Sequence, residues 1–211
     1  MDNINSIMSN VFIISAPSGA GKTSLVKSLC HRFDFIRPSV SYTTRKIRDS
    51  ELNGIDYFYV NDEEFDDKIQ NNEFLEYQNV YGNMYGSTLN SVNAIRELNK
   101  DVILEIDYQG MMSVKNRLPE AISIYITPPS INDLRKRLKQ RGEDLEDVIE
   151  TRMSSCEKEL KYADLANYVI INDDFDTALN SLSLIILLKK LPVKEIKSWM
   201  IHLQQLNNPV V

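Results

Sequence analysis

The chain has 211 residues, 43% hydrophobic and 26% charged, with 24 Lys and Arg against 30 Asp and Glu. That length holds about one to two domains and a sizeable core, and the apolar and aromatic content excludes general disorder. A formal net charge of -6 argues against a broad electrostatic grip on nucleic acid, so no nucleic-acid partner is expected, while leaving room for a local basic pocket.

Val11-Phe12-Ile13-Ile14 is too short and too uniformly apolar for a surface helix and is expected to be a buried strand. It runs into Pro17, Gly19 and Gly21, then into Leu25, Val26, Leu29 and Phe33 at helical spacing. The same strand-then-helix rhythm returns at Val102 to Ile106, at Ala121 to Thr127 followed by a helix from Ser130, and at Tyr168 to Ile171 followed by a helix from Asp173. Ser130 and Asp133 form a capping-box pattern. Strands buried on both faces and alternating with helices predict a parallel sheet flanked by helices.

Residues 38–92 break that rhythm. Ser39 to Thr43 and Ile55 to Val60 alternate as half-exposed strands do, and five tyrosines cluster between Tyr57 and Tyr85. This segment is expected to be an inserted lobe of mixed, mostly antiparallel strands. A second, densely charged insertion covers 139–152 and contains Gly142. The next helix carries Ile149, Met153, Cys156, Leu160 and Ala163 on one stripe. The core is therefore expected in 8–37, 93–138 and 153–191, with a helical tail over 192–211 that begins at Pro192. The longest apolar run, Leu184 to Leu188, is far short of the roughly 18 residues that span a bilayer. The start Met1-Asp2-Asn3-Ile4 lacks the basic and apolar regions of an export signal. A cytoplasmic protein with no membrane partner is expected. Cys30 and Cys156 are too far apart for a metal or redox motif and read as reduced core thiols. Having only His31 and His202 argues against a histidine metal site.

The segment Ala16-Pro17-Ser18-Gly19-Ala20-Gly21-Lys22-Thr23 follows an expected strand and opens an expected helix. This is the context of a phosphate-binding loop, with Ala16 where the motif has its first glycine. Consecutive backbone N–H groups at a helix N-terminus suit phosphate oxygens, Lys22 can reach the terminal phosphates, and the Thr23 hydroxyl can ligate Mg²⁺. Val102-Ile103-Leu104-Glu105-Ile106-Asp107 is an apolar strand ending in acids, one of which would hold Mg²⁺ directly or through water beside Thr23. Together they indicate a P-loop nucleotide enzyme without saying which. Thr44-Arg45-Lys46-Ile47-Arg48 sets two arginines beside hydroxyls at Ser41, Thr43 and Thr44. The guanidinium fork suits a substrate phosphate, and the same residues would equally suit a basic surface turn.

Several motifs carry a resemblance. They are Ser15 to Thr23, Ser41-Tyr-Thr-Thr-Arg45-Lys-Ile-Arg48, Asn53-Gly54-Ile-Asp-Tyr57, Phe74-Leu-Glu76-Tyr and Gly82-Asn-Met-Tyr85-Gly86-Ser87. Glu105-Ile-Asp107-Tyr-Gln-Gly110, Pro128-Pro129-Ser130, Arg137 to Gly142, Arg152 and Ile171-Asn172-Asp173-Asp174 continue it. Taken in order over about residues 11–190, they resemble guanylate kinase, a P-loop nucleoside monophosphate kinase family. The resemblance implies a P-loop core with a parallel sheet, an inserted monophosphate-binding lobe and a short lid. It implies transfer of the γ-phosphoryl group of ATP to GMP, and to dGMP, with Mg²⁺, in purine nucleotide metabolism. By the resemblance, Ala16 to Thr23 and Asn172 bind ATP. Arg45, Arg48, Tyr57 and Tyr85 bind the GMP phosphate, and Ser41, Glu76, Ser87 and Asp107 read the guanine edge. Lys22, Arg45, Arg137, Arg141 and Arg152 act on the moving phosphoryl group, and Thr23 and Glu105 hold the metal. Glu105 stands where many members carry Asp, and Met84 replaces a common aromatic. ATP and GMP are the expected partners, for a monomer or a homodimer.

Overall fold

In the computed structural model, residues 9–80, 82–141 and 146–190 are described, without the side chains of residues 141, 147, 148, 151 and 157. The expected tail over 192–211 and the Gly142 turn lie outside them. The core sheet is formed by β1 (Val11–Ser15), β2 (Ile36–Pro38), β7 (Asp101–Glu105), β8 (Ile122–Thr127) and β9 (Tyr168–Ile171). Its spatial order is β2-β7-β1-β8-β9 and every pairing is parallel. The first strand is thus central, paired on one side through Ile13 with Leu104 and on the other through Ser15 with Tyr125. Central position explains its composition, since all five residues are buried.

Helices cover both faces. On one, α1 (Lys22–Arg32) and α7 (Phe175–Lys190) pack Leu25, Leu29, Leu182 and Ile186 against Phe12, Ile14 and Ile103. On the other, α3 (Leu89–Glu97) and α4 (Tyr108–Arg117) pack Val92, Met111 and Val114 against Val11, Ile13 and Leu104. Helices α5 (Ile131–Arg141) and α6 (Glu146–Leu160) form a smaller cluster of Leu134, Leu138, Ile149, Met153 and Cys156, with Leu160 packed against it. Ala163 of the expected stripe falls instead in a 3-10 turn beyond α6 and joins the cluster of Met111 and Val114. The Ser130 cap is present: the Asp133 N–H donates to its hydroxyl at 3.1 Å. The hydroxyl in turn donates to the Asp133 carboxylate at 2.6 Å, so the reciprocal bond runs between the side chains. Both cysteines are on helices, with Cys156 buried, and neither is in a disulfide among the described residues. Among the described residues no helix is long and apolar enough to cross a membrane.

The inserted lobe is a second sheet of β3 (Tyr42–Thr43), β4 (Phe58–Tyr59), β5 (Phe74–Val80) and β6 (Asn83–Thr88), in the order β4-β3-β6-β5. It is mixed, because β3 and β4 pair in parallel while the other two pairings are antiparallel. The two strands expected from alternation are each shorter than the sequence implies. Residues 44–57 form instead the long crossover that parallel pairing needs, with a turn at Gly54 and Leu52 N–H donating to Asp56. Helix α2 (Asp62–Gln70) was not foreseen: its acidic first turn buries only Phe65, and an Asn61–Glu64 capping box starts it. A further departure is β9, which lies at the sheet edge with only Ile170 buried and is not enclosed on both faces.

The strand end remote from the phosphate loop is tied by a buried charge. The Asp101 carboxylate is fully buried, accepts the Asn10 N–H at 2.8 Å, and meets Lys190 Nζ at 3.1 Å. Breaking one half of such a pair leaves the other uncompensated. Lys190→Met is therefore expected to lower unfolding free energy by about 2–3 kcal/mol, measured by urea titration, with turnover unchanged.

Candidate functional site

The phosphate loop leaves the end of central β1 and enters α1 with Gly21 as its N-cap. Gly19 and Gly21 adopt φ of 88° and 93°, a region that disfavours side chains. A Cβ on Gly21 would also lie 2.4 Å from Asn172 Nδ2. That amide donates to Ala20 O at 2.8 Å, and the Arg137 guanidinium donates to Asn172 O at 2.8 Å. Leu134 and Leu138 sit beneath Gly19. The loop's curve is therefore braced from β9's end and from α5. Asn172, implied by resemblance to lie near the adenine, is buried here as a support of the loop.

Lys22 Nζ donates to Ile106 O at 3.2 Å, which draws it across the end of β7. The Thr23 hydroxyl donates to Glu105 Oε1. An alcohol and a carboxylate in contact beside a phosphate loop are hard oxygen donors of the kind Mg²⁺ takes, together with substrate phosphates. Among the described residues no group of three or more His, Cys, Asp or Glu is arranged to cage a metal alone. The residues present fit an ion that is held partly by nucleotide.

Across the cleft, the lobe carries two clusters. In the first, Arg45 Nη2 donates to Glu51 Oε1 at 2.7 Å, and its guanidinium lies 5.6 Å and 5.8 Å from the ring centres of Tyr57 and Tyr59. Tyr57 and Tyr85 meet edge to face at 5.7 Å. Glu51 is the hub. Its other oxygen accepts from the Arg48 N–H at 2.9 Å and the Tyr59 hydroxyl at 2.7 Å. Partial burial works against ionisation of Glu51, but the Arg45 bond and these two donors hold its carboxyl down at about 2. Burial raises the Tyr57 phenol, so it stays a hydrogen-bond donor at neutral pH.

In the second cluster, Glu76 on β5 is buried and accepts the Ser87 N–H at 3.0 Å, while the Ser41 and Ser87 hydroxyls lie 3.0 Å apart. Its other oxygen lies against Gly110 of α4, where a Cβ would stand 2.7 Å away. Burial pushes the Glu76 carboxyl up to about 7, moderated by the Ser87 bonds and reinforced by the Asp107 charge. Asp107 itself caps α4, accepting the Gly110 N–H at 2.8 Å.

The structure thus brings together Ser41, Glu76, Ser87 and Asp107, and separately Arg45, Tyr57 and Tyr85, with Arg48 alongside on an exposed turn. Arg137 reaches the loop's support, and Arg152 is half-buried on α6. The side chain of Arg141 lies outside the described residues. Sequence reading missed Glu51, Tyr59 and Glu159. The last is on α6, where the Tyr125 hydroxyl donates to its carbonyl at 2.8 Å. Burial, and then the charge of Asp107, pushes its carboxyl up to about 7. No spacing rule flags a single acid whose neighbours come from other elements. Glu51 did carry one signal, its place three residues after Arg48.

A family model described as guanylate kinase matches residues 8–188. A guanylate kinase of Hydrogenovibrio crunogenus is 46% identical over 178 residues, which is 84% of this chain and 87% of that protein. One from Neisseria gonorrhoeae is 48% identical over 169 residues, 80% and 82% of the two chains. Among solved structures, the guanylate kinase of Anaplasma phagocytophilum superposes with a TM-score of 0.73 at 28% identity, covering 88% of each chain.

A buried carboxyl with a raised pKa costs stability wherever it must ionise. The cost is absent below the unfolded value near 4.5, grows as pH rises, and is complete above about 7. Glu76→Gln keeps an acceptor for Ser87 without the charge. It is expected to stabilise the fold by roughly 2–4 kcal/mol at pH 8 and by almost nothing at pH 4.5, read from urea unfolding at the two pH values.

Proposed function

The chain belongs to the guanylate kinase family and transfers a phosphoryl group from ATP to GMP, giving ADP and GDP; on that premise we propose which of its residues bind each nucleotide and act on the transfer. The observation that carries the assignment is the buried Glu76 carboxylate framed by Ser87, Ser41 and Gly110. Guanine presents N1–H and an N2 amine beside an O6 acceptor. Ionised Glu76 accepts from both donors, and a Ser41 or Ser87 hydroxyl donates to O6. Adenine turns a lone pair and a C–H toward the same carboxylate, leaving it unsatisfied at a cost of about 1–3 kcal/mol or more.

Arg45, Arg48, Tyr57 and Tyr85 take the GMP phosphate, since fixed guanidinium and phenolic donors match its oxygens. These groups address base and phosphate and make no demand on the 2′-hydroxyl, so dGMP serves as a second acceptor. Ala16 to Thr23 wrap the ATP phosphates with backbone N–H groups. Thr23 and Glu105 would hold Mg²⁺ together with ATP, and the ion would supply fixed positive charge against the phosphates.

The attacking oxygen of GMP is already ionised near neutral pH, so no general base is needed. What remains is positioning and charge neutralisation. Lys22 leaves Ile106 O for the terminal phosphates, Arg137 leaves Asn172 O, and the positive charges of Arg45, Arg137, Arg141 and Arg152 offset the charge that develops between the two nucleotides. Approach of the lobe to the core excludes water, which would otherwise compete as acceptor.

A coupled assay of ADP release with GMP, dGMP, AMP and UMP tests the acceptor assignment: GMP turning over no better than AMP would overturn it. Lys22→Ala is expected to cut kcat by at least about a hundredfold, the scale of one lost charged contact in the transition state. Arg45→Ala should raise KM for GMP and lower kcat with the fold intact. Near-normal kcat/KM would remove Arg45 from the site. KM for GMP is also expected to rise as pH falls below about 7, because protonated Glu76 cannot accept from guanine. Glu76→Gln should abolish that inflection while leaving the one near pH 6 that belongs to the GMP phosphate itself.

A further inference from the structure

Strand β5 contains an irregularity that decides where Glu76 points. Phe74 pairs with Thr88 and Glu76 with Ser87, so Leu75 is an extra residue with no partner on β6. It is a β-bulge, which shifts the alternation of the strand by one. Without it Phe74 and Glu76, two apart, would share a face. With it Phe74 shares a face with Tyr77, their rings 5.8 Å apart, and with Gly86 and Phe65. Glu76 and Gln78 are turned to the opposite face, toward α4. There Glu76 meets Gly110, and Gln78 Nε2 donates to Ser113 Oγ at 3.3 Å. A one-residue slip would carry the carboxylate away from the cleft and into the aromatic side of the lobe.

The bulge is held from outside its sheet. Arg117 Nη1, at the last turn of α4, donates to Phe74 O at 2.6 Å and to Leu75 O at 2.8 Å, the carbonyls on either side of the Leu75 N–Cα–C unit. Leu75 itself is buried in the core cluster with Val92, Met111 and Val114. Gly110 and Arg117 are seven residues apart and so lie on one face of α4. One face of a single helix therefore touches the Glu76 carboxylate at its start and fastens the backbone that aims that carboxylate at its end.

We propose that Arg117 is a specificity-determining positioning residue: by clamping the bulge at Leu75 it fixes Glu76 in the orientation that reads the guanine N1 and N2 donors. The inference rests on the assignment of Glu76 as the base reader. Arg117 touches no nucleotide. Its charge suits the task because a cation bonds two carbonyls at once more strongly than a neutral donor would. Its place in the last turn of α4 is also favoured by the helix dipole.

The test compares GMP with IMP, which keeps N1–H and O6 and lacks only the N2 amine, in kinase assays on the wild type, Arg117→Ala, Arg117→Lys and Glu76→Gln, with thermal unfolding recorded alongside. Arg117→Ala is expected to lower the ratio of kcat/KM for GMP over IMP by about tenfold, the scale of one misplaced hydrogen bond, with KM for ATP unchanged. Arg117→Lys keeps the charge on a flexible stem and should fall between, which reads the effect even if the alanine variant is too unstable to assay. A ratio equal to wild type in both variants, whatever their unfolding temperatures, would overturn the proposal, since a merely structural contact moves stability and not base selectivity. Glu76→Gln separates the two ideas. If it leaves the ratio unchanged, the base-reading assignment fails. If it lowers the ratio while both Arg117 variants do not, that assignment stands and the role of Arg117 is lost.

Discussion

A loop that turns its N–H groups toward phosphate forgoes the hydrogen bonds those groups would make inside the protein, so its shape must be imposed by its surroundings. The rest of the core is arranged around that requirement. Ala20 N–H turns back to Pro17 O, Asn172 holds Ala20 O, and Arg137 holds Asn172. Leu134 and Leu138 close the space under Gly19, and the end of β7 supplies the carbonyl that receives Lys22. These supports come from β9, α5 and β7. The loop's geometry is thus a property of the whole sheet edge, and the central place of β1 is what lets so many elements reach it.

The two clusters of the lobe solve opposite electrostatic problems. Around Glu51, an acid is kept fully ionised so that Arg45, Tyr59 and the Arg48 backbone share one fixed point, and a flexible guanidinium is preorganised before any phosphate arrives. Around Glu76, burial works against ionisation, and the Ser87 bonds only partly offset it, so the carboxyl is held near the point of change at neutral pH. An acidic chain with a formal charge of -6 can in this way gather cations around Glu51 and keep a buried acid at Glu76. The overall charge argued against a broad electrostatic grip on nucleic acid and said nothing of this local division.

Four of the five core strands, the phosphate loop and most of the α6 stripe were legible because each follows a short-range rule: buried strands read as apolar runs, helices as periods, phosphate loops as glycine spacing. Strand β2, three residues long with only Ile36 buried, carried no such run. The lobe was less legible. Alternation pointed to its strands β3 and β4 but not to their bounds, since each is only two residues long, and their parallel pairing depends on a crossover held by Glu51 and Asp56. Helix α2 buries a single side chain, Phe65, so it carries little apolar period to detect.

By itself the sequence determined the class of fold and the phosphate loop, which rest on residue types at fixed separations along the chain, and it named the proposed reading groups through a family resemblance. Only the tertiary structure decided how those groups are aimed. Leu75 has no local signature as an extra residue in a strand, because a bulge exists only relative to the partner strand it fails to pair with. The bond from Arg117 to the bulge and the close approach of Gly110 to Glu76 likewise join segments more than thirty residues apart. Position along the chain says which groups are present. The face to which each one turns is set by packing between elements, which no window of sequence contains.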